Sequence, residues 1–395
     1  MAEANGAEAS GARPPRLLFL VNEALFFTTH RMPVALEAQA RGCEVHVAAP
    51  FDAGPVEIIR SRGFHYHDLP LKRGGRSLRG EARLLAHFFR LLRRLRPGLV
   101  HHVSMKPVIY GGLASRLLKV PAAIHAVTGL GFLFIREDLS ARLIRRAIMP
   151  LYRYALGHPN ARVIFQNPDD LALFLRRRLV REKVTVMIRG CGVDLQQFHP
   201  APLPEGPPIV MFPARIIGDK GVHEFIEAAR RLRRQGMEAR FVLVGRRDPD
   251  NPTDVPEDVV NGWVEEGLVE WWGYRTDMPA VLAQASVVCM PSYREGLPRG
   301  LIEAAACGAP IVTADVPGCR EVVAHAVTGL LVPVRDGAAT AAAIGRLLAE
   351  PETRQRMAQA ARQRAEREFS VEQFVADTLA TYQAVLPDGP FGSAT

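Results

Sequence analysis

Glu295 and Glu303 stand eight positions apart in Pro291-Ser-Tyr-Arg-Glu-Gly-Leu-Pro-Arg-Gly-Leu-Ile-Glu303, where Gly296 and Pro298 interrupt the chain before a helix-like run. An ionised carboxylate accepts two hydroxyl hydrogen bonds, so one carboxylate before a helix start and one inside it suit a polyol on either side of a diphosphate. The first N–H groups of that helix lack intrahelical acceptors and attract phosphate oxygens, and Gly296 permits close approach. A second segment, Pro213-Ala-Arg-Ile-Ile-Gly-Asp-Lys-Gly-Val222, puts Arg215 at a strand end and Lys220 at the start of the next helix. Two cations there suit a diphosphate whose charge grows as it leaves. The pattern points to a nucleotide sugar.

Other motifs carry less. Asp248-Pro-Asp250 spells a D-x-D metal motif, yet it lies in a turn-forming cluster, and no metal is expected. Gly111-Gly-Leu-Ala114 lacks the G-x-G-x-x-G spacing, which argues against a nicotinamide dehydrogenase. Cysteines 43, 191, 289, 307 and 319 form no C-x-x-C pair, so neither a zinc cluster nor a disulfide framework is expected, and a reducing compartment is.

These residues must be carried by strand ends. From Arg16 onward, short aliphatic runs alternate with longer amphipathic segments, the signature of an α/β chain with parallel strands. Strands are expected at 17–22, 44–49, 99–103, 122–128, 163–167 and 184–189, then at 209–214, 240–245, 269–272, 286–291, 310–313 and 329–333. Between the two series, five of the nine residues 200–208 are proline. The expected division is a disordered tail at 1–15, a Rossmann-like domain at 16–199, a hinge-forming linker at 200–208, a second such domain at 209–369, and a helix at 370–387 crossing back to the first. In open parallel sheets the ligand lies beyond the carboxyl ends of the strands, which places the site between the domains.

At this level the chain resembles a family-4 glycosyltransferase of GT-B fold, with two facing doubly wound domains. The matching elements are Glu295-x7-Glu303, Arg215 with Lys220-Gly221, Gly190-Cys-Gly-Val-Asp194 with Phe198, and Gly318 to Val323. His30-Arg-Met-Pro33 and Val127-Thr-Gly-Leu-Gly131 resemble the bacterial subgroup that extends polyprenyl-diphosphate-linked sugars. The resemblance implies retaining transfer from a nucleotide sugar without a metal or other cofactor. It implies that Glu295 holds sugar hydroxyls, Glu303 the ribose, and Arg215 with Lys220 the diphosphate. The amides of Gly296, Leu297, Pro298 and Arg299 would line the phosphates, with proline contributing no N–H, while Tyr274 and Arg275 would receive the base. His30, Lys106 and Thr128 are the acceptor-side candidates. The family often has a Gly-Gly loop after the first strand, whereas Asn22 to His30 contains no glycine. His125 lies an odd offset from Thr128, so on one strand the two face opposite ways, and Thr128 is the one expected in the cleft.

Charge is divided unevenly. Over residues 1–200, Lys+Arg outnumber Asp+Glu by 30 to 15; over the rest they trail by 20 to 26, so the halves carry +15 and −6 of the total +9. Basic clusters at Lys72, Arg73, Arg76, Arg79, Arg83 and Arg90 to Arg96, and at Arg142, Arg145, Arg146 and Arg153 among apolar neighbours, read as amphipathic helices for an anionic inner-membrane surface. No run of 18 apolar residues is present, and residues 1–15 lack the core of a signal peptide. The expected protein is a cytoplasmic, peripherally membrane-associated hexosyltransferase that uses a UDP-sugar and a lipid-linked saccharide, with no nucleic-acid partner. A nucleotide-sugar epimerase or hydrolase of the same plan, and a catalytically silent membrane module, are the alternatives.

Overall fold

The computed structural model describes residues 14–71, 78–129 and 139–391. Most of the tail at 1–15 lies outside the described residues, as do Lys72, Arg73, Arg76, Leu130 and Gly131.

Seven parallel strands form the first sheet: β1 (Arg16–Leu20), β2 (Glu44–Ala49), β3 (His65–Asp68), β4 (Leu99–Val103), β5 (Ala122–Val127), β6 (Ala161–Phe165) and β7 (Thr185–Met187), in the order β3-β2-β1-β4-β5-β6-β7. Six form the second: β8 (Ile209–Pro213), β9 (Arg240–Val244), β10 (Glu270–Trp271), β11 (Val287–Met290), β12 (Ile311–Ala314) and β13 (Gly329–Val332), in the order β10-β9-β8-β11-β12-β13. Each order reverses once, between β1 and β4 in the first sheet and between β8 and β11 in the second. At such a reversal the neighbouring crossovers leave in opposite directions and open a crevice beyond the strand ends.

β3 departs from the sequence expectation. Its residues, His-Tyr-His-Asp, show no apolar alternation because it is an edge strand with both ends exposed. β10 spans two residues, less than the four expected. The glycine-free segment after β1 is helical rather than a loop, Ala24–His30 running straight into Met32–Ala40.

Amphipathic helices cover both faces of the first sheet. On Leu78–Leu95, the buried residues Leu84, Phe88, Leu91, Leu92 and Leu95 pack with Leu18, Leu20 and Val100 of β1 and β4, at the spacing that gives a helix one apolar face. On the other face the helix Val371–Gln383, capped by Ser370 Oγ accepting from the Gln373 amide at 3.2 Å, inserts Phe374, Leu379 and Tyr382 beside Leu17 and Phe19. Tyr382 Oη lies 2.6 Å from His101 Nδ1.

The chain passes between the cores earlier than the proline stretch. Cys191 belongs to the first core and Val193 to the second. Val193 also pairs with the returning segment: its N–H donates to the Phe369 carbonyl at 2.8 Å and its carbonyl accepts from the Val371 N–H at 3.0 Å. Residues 201–207 are exposed and follow this crossing, so the chain passes between the cores at 191–193, beside 369–371, ahead of the stretch 200–208. Proline excludes regular structure from the later stretch but does not by itself mark where the cores separate.

Candidate active site

The two order reversals set the site. Beyond β8 the chain makes one turn of 3₁₀ helix, Gly218–Lys220, and enters Val222–Arg234 through Gly221 at φ 79°. A Cβ on Gly221 would lie 2.2 Å from the Pro291 carbonyl oxygen, so only glycine lets the loops after β8 and β11 touch. That contact brings Lys220 Nζ to 2.5 Å from Glu295 Oε1, with both side chains largely buried. The principal predicted cation and carboxylate thus form one pair at the switch point.

Arg215 is ion-paired to Asp248 from the loop after β9. Asp248, which spelled half of the D-x-D, acts here as the anchor of a guanidinium. Among the described residues no group of three or more His, Cys, Asp or Glu side chains is arranged to hold a metal ion.

Pro298 occupies the N-cap of the helix Arg299–Ala306, with Leu297 buried just before it. Glu303 is 7% exposed and accepts from Arg299 Nε at 2.6 Å. Burial pushes the Glu303 carboxyl above the usual glutamate range, and the Arg299 charge pulls it back in part. Arg299 also donates to the Thr29 carbonyl across the cleft. His30, the next residue, stacks on Phe26 with centroids 4.0 Å apart. Burial and then the charges of Arg299 and Arg31 hold its ring well below the ordinary histidine range, so it is neutral.

Thr128 is half-buried just after β5, its hydroxyl 3.3 Å from that of Ser104 and its backbone carbonyl beside Gly296. Ser104 takes φ 74° just after β4, a left-handed conformation for a residue with a side chain, beside the first sheet's switch point. His125 is fully buried and stacked on His102 at 4.7 Å. Lys106 follows β4, and its ammonium donates to Glu81 at 2.7 Å, which ties it to a neighbouring helix. Tyr274 is 54% exposed, with the Arg246 guanidinium 5.8 Å from its ring centre. Arg275 bonds Asp277 on the surface at 2.8 and 2.5 Å.

The clasp between the domains escaped the sequence reading. Asn167 donates to the Gly296 carbonyl at 2.7 Å, and Arg294 pairs with the buried Asp170 across the same gap. Asn167-Pro-Asp-Asp170 directly after β6 is an N-cap signal that could have flagged this position. A Cβ on Gly296 would stand 2.3 Å from the Thr128 carbonyl oxygen, so only glycine permits this approach of the two backbones.

Residues 194–364 match the family described as Glycosyl transferases group 1, and residues 16–167 match Glycosyl transferase 4-like. The chain is 30% identical over 368 residues to the N,N'-diacetylbacillosaminyl-diphospho-undecaprenol alpha-1,3-N-acetylgalactosaminyltransferase of Campylobacter jejuni, covering 88% of this chain and 93% of that one. The chain belongs to the family-4 glycosyltransferases. Within this family it is also similar to an Escherichia coli UDP-Gal:alpha-D-GlcNAc-diphosphoundecaprenol alpha-1,3-galactosyltransferase, 24% identical over 273 residues, 66% of this chain and 68% of that one. The Anabaena HepE structure in complex with UDP and glucose superposes with a TM-score of 0.72 at 20% identity, over 93% of this chain and 99% of that one, and shows the shared GT-B fold. The protein is therefore a nucleotide-sugar-dependent glycosyltransferase with two facing parallel-sheet domains.

Proposed function

We propose that this glycosyltransferase moves a hexose or N-acetylhexosamine from a UDP-sugar to a polyprenyl-diphosphate-linked saccharide, with retention of anomeric configuration, during synthesis of a surface polysaccharide or a glycoprotein glycan. The supporting observation is the 30% identity along nearly the whole length of a relative whose name specifies a diphospho-undecaprenol-linked acceptor. Lys220 and Arg215 would take up the charge of the departing diphosphate, and no metal is called on. Glu295 would exchange Lys220 for sugar hydroxyls, while Glu303, fixed by Arg299, would accept the ribose hydroxyls. Tyr274 and Arg275 would receive the base. In a same-face displacement the leaving phosphate oxygen takes the acceptor proton as the new glycosidic bond forms, so the protein's part is positional and electrostatic. Thr128 and His30 line the acceptor side, and Lys106 stands near it.

The acceptor would be met at the cytoplasmic face of the inner membrane, where basic residues of Leu78–Leu95 and Leu139–Leu156 would face anionic lipid. Among the described residues no helix is long and apolar enough to cross a membrane. The test is product release from UDP- and GDP-sugars, with and without polyprenyl-diphosphate-linked sugar and with a chelator throughout. Release that requires one UDP-sugar and the lipid, with an α-configured product from an α-donor, is the expected result. Release without lipid would replace this reading with a hydrolase or epimerase.

A further inference from the structure

A cavity of about 870 Å³ lies within the first domain, lined by Arg116, Arg142, Arg145, Arg146, Arg153 and Arg177. No carboxylate lines it among the described residues. Its place in the fold separates it from the donor site. In a parallel crossover sheet each helix returns against the strands, so helix carboxyl ends lie at the strands' amino ends, opposite the cleft. Arg116 and Arg153 are in the last turns of Gly112–Leu117 and Leu139–Leu156, and Arg177 directly follows Pro168–Arg176. The cavity therefore reaches the side of the domain away from Lys220 and Glu295.

A favourable interaction with helix dipoles accounts for those three arginines singly. It does not account for Arg142 and Arg146, which stand in the amino-terminal half of Leu139–Leu156, where the dipole disfavours cations. Pro150, also in the wall and inside the continuous helix, has no N–H to donate to the Arg146 carbonyl. Arg116 is fixed: it lies over the Tyr154 ring at 4.1 Å and donates to the Tyr154 carbonyl at 2.5 Å. A preset guanidinium with others converging on one hollow is the arrangement that takes several phosphate oxygens at once, through paired N–H donors.

We propose that this cavity is a second anion site, for a ligand bearing two or more adjacent phosphates, carried either by a lipid headgroup or by a free diphosphate. The proposal does not rest on the acceptor reading, because inorganic pyrophosphate alone tests it. Titration calorimetry on the full chain carrying Lys220→Ala, which weakens the donor site, is expected to show saturable one-to-one pyrophosphate binding. Adding Arg146→Gln and Arg153→Gln is expected to weaken that binding at least tenfold while leaving the circular dichroism and melting temperature unchanged. No saturable binding, or binding indifferent to the two arginines, would overturn it. Flotation with phosphatidylethanolamine vesicles then distinguishes the sources. Arginine-dependent capture by vesicles holding undecaprenyl diphosphate, beyond capture by vesicles of equal charge made with phosphatidylglycerol, assigns the lipid headgroup. Equal capture by both, with pyrophosphate binding retained, assigns the free anion. The otherwise wild-type chain carrying the two arginine substitutions keeps its donor chemistry, so loss of transfer to a lipid acceptor and loss of pyrophosphate binding are read separately.

Discussion

The Asn167 side chain spans the cleft to hold Gly296: its Nδ2 donates to the Gly296 carbonyl at 2.7 Å while its Oδ1 accepts from the Asp170 N–H at 2.8 Å. One fully buried amide thus starts a helix in the first domain and fixes the loop that carries Glu295 in the second. The contact between the domains and the position of the loop carrying Glu295 share one side chain.

Gly296→Ala is expected to fold and to fail at closure, since its Cβ would collide with the Thr128 carbonyl oxygen, which is backbone and cannot swing aside. Turnover should fall about 100-fold or more, the effect of misplacing reacting groups by an ångström. Steady-state rates with small-angle scattering in the presence of nucleotide provide the check, and near-normal turnover would refute the contact's importance.

Lys220→Ala leaves the Glu295 carboxylate without its 2.5 Å partner and removes one of the two cations proposed for the diphosphate. A loss of roughly 10²–10³ in kcat is expected for removal of one preorganised electrostatic group. Glu303→Ala should also abolish measurable transfer. Both variants should retain the wild-type circular dichroism spectrum, and activity close to wild type in either would remove that residue from the donor site.

Donor affinity should weaken with acidity at a higher pH than an ordinary glutamate would give. Burial raises the Glu303 pKa, so in the free protein its ionisation costs stability as pH rises through that value, while a ribose held there as proposed would favour the ionised form. Proton uptake therefore competes with the donor as pH falls. Titrating nucleotide from pH 7.5 downward should show the loss in wild type and a flat line, at lower affinity, in Glu303→Gln.

Stability should also decline in mild acid. Burial is the leading cause of the lowered pKa values of His101, His102 and His125, with His102 pushed down to about 3. A lowered folded pKa means that the unfolded chain binds more protons below its own value near 6.5, so the contribution is present above that pH and lost beneath it. His102 alone accounts for about 1.4 kcal/mol between pH 7.5 and 5.5, and His101 and His125 act in the same direction. Urea midpoints across that interval measure it, and a pH-independent midpoint would contradict it.

Tyr382→Phe removes the 2.6 Å contact to buried His101 without opening a cavity. The expected loss is about 1–2 kcal/mol, the cost of leaving a buried polar atom unpaired. Chemical denaturation followed by a probe in the first domain reads it, and an unchanged midpoint would show that the contact contributes nothing.

Much of this architecture was legible because parallel strands buried on both faces announce themselves as aliphatic runs, as Ile209–Pro213 and Val287–Met290 do. Lys220 and Glu295 were legible singly, because both follow strand ends, but their pairing with each other was not. What escaped were features created only when distant segments meet. His65–Asp68 carries no apolar signature at a sheet edge, Asp170 and Arg294 are 124 positions apart, and Lys106 meets Glu81 through the packing of separate elements. The proline stretch drew the boundary away from Gly190-Cys-Gly192, where the chain passes from one core to the other.

Phe374, Leu379 and Tyr382 complete the first core although some 180 residues, forming the whole second sheet, separate them from β7. During synthesis, which proceeds from the amino terminus, the strands of the first domain emerge long before the helix that covers them. The second domain has all its strands available while the first still exposes the seat for Val371–Gln383. Arrival of that helix completes the first core, so the assembly has a built-in order in which the earliest segment made is the last to be finished, and a nascent chain arrested before residue 371 would present that apolar seat to chaperones.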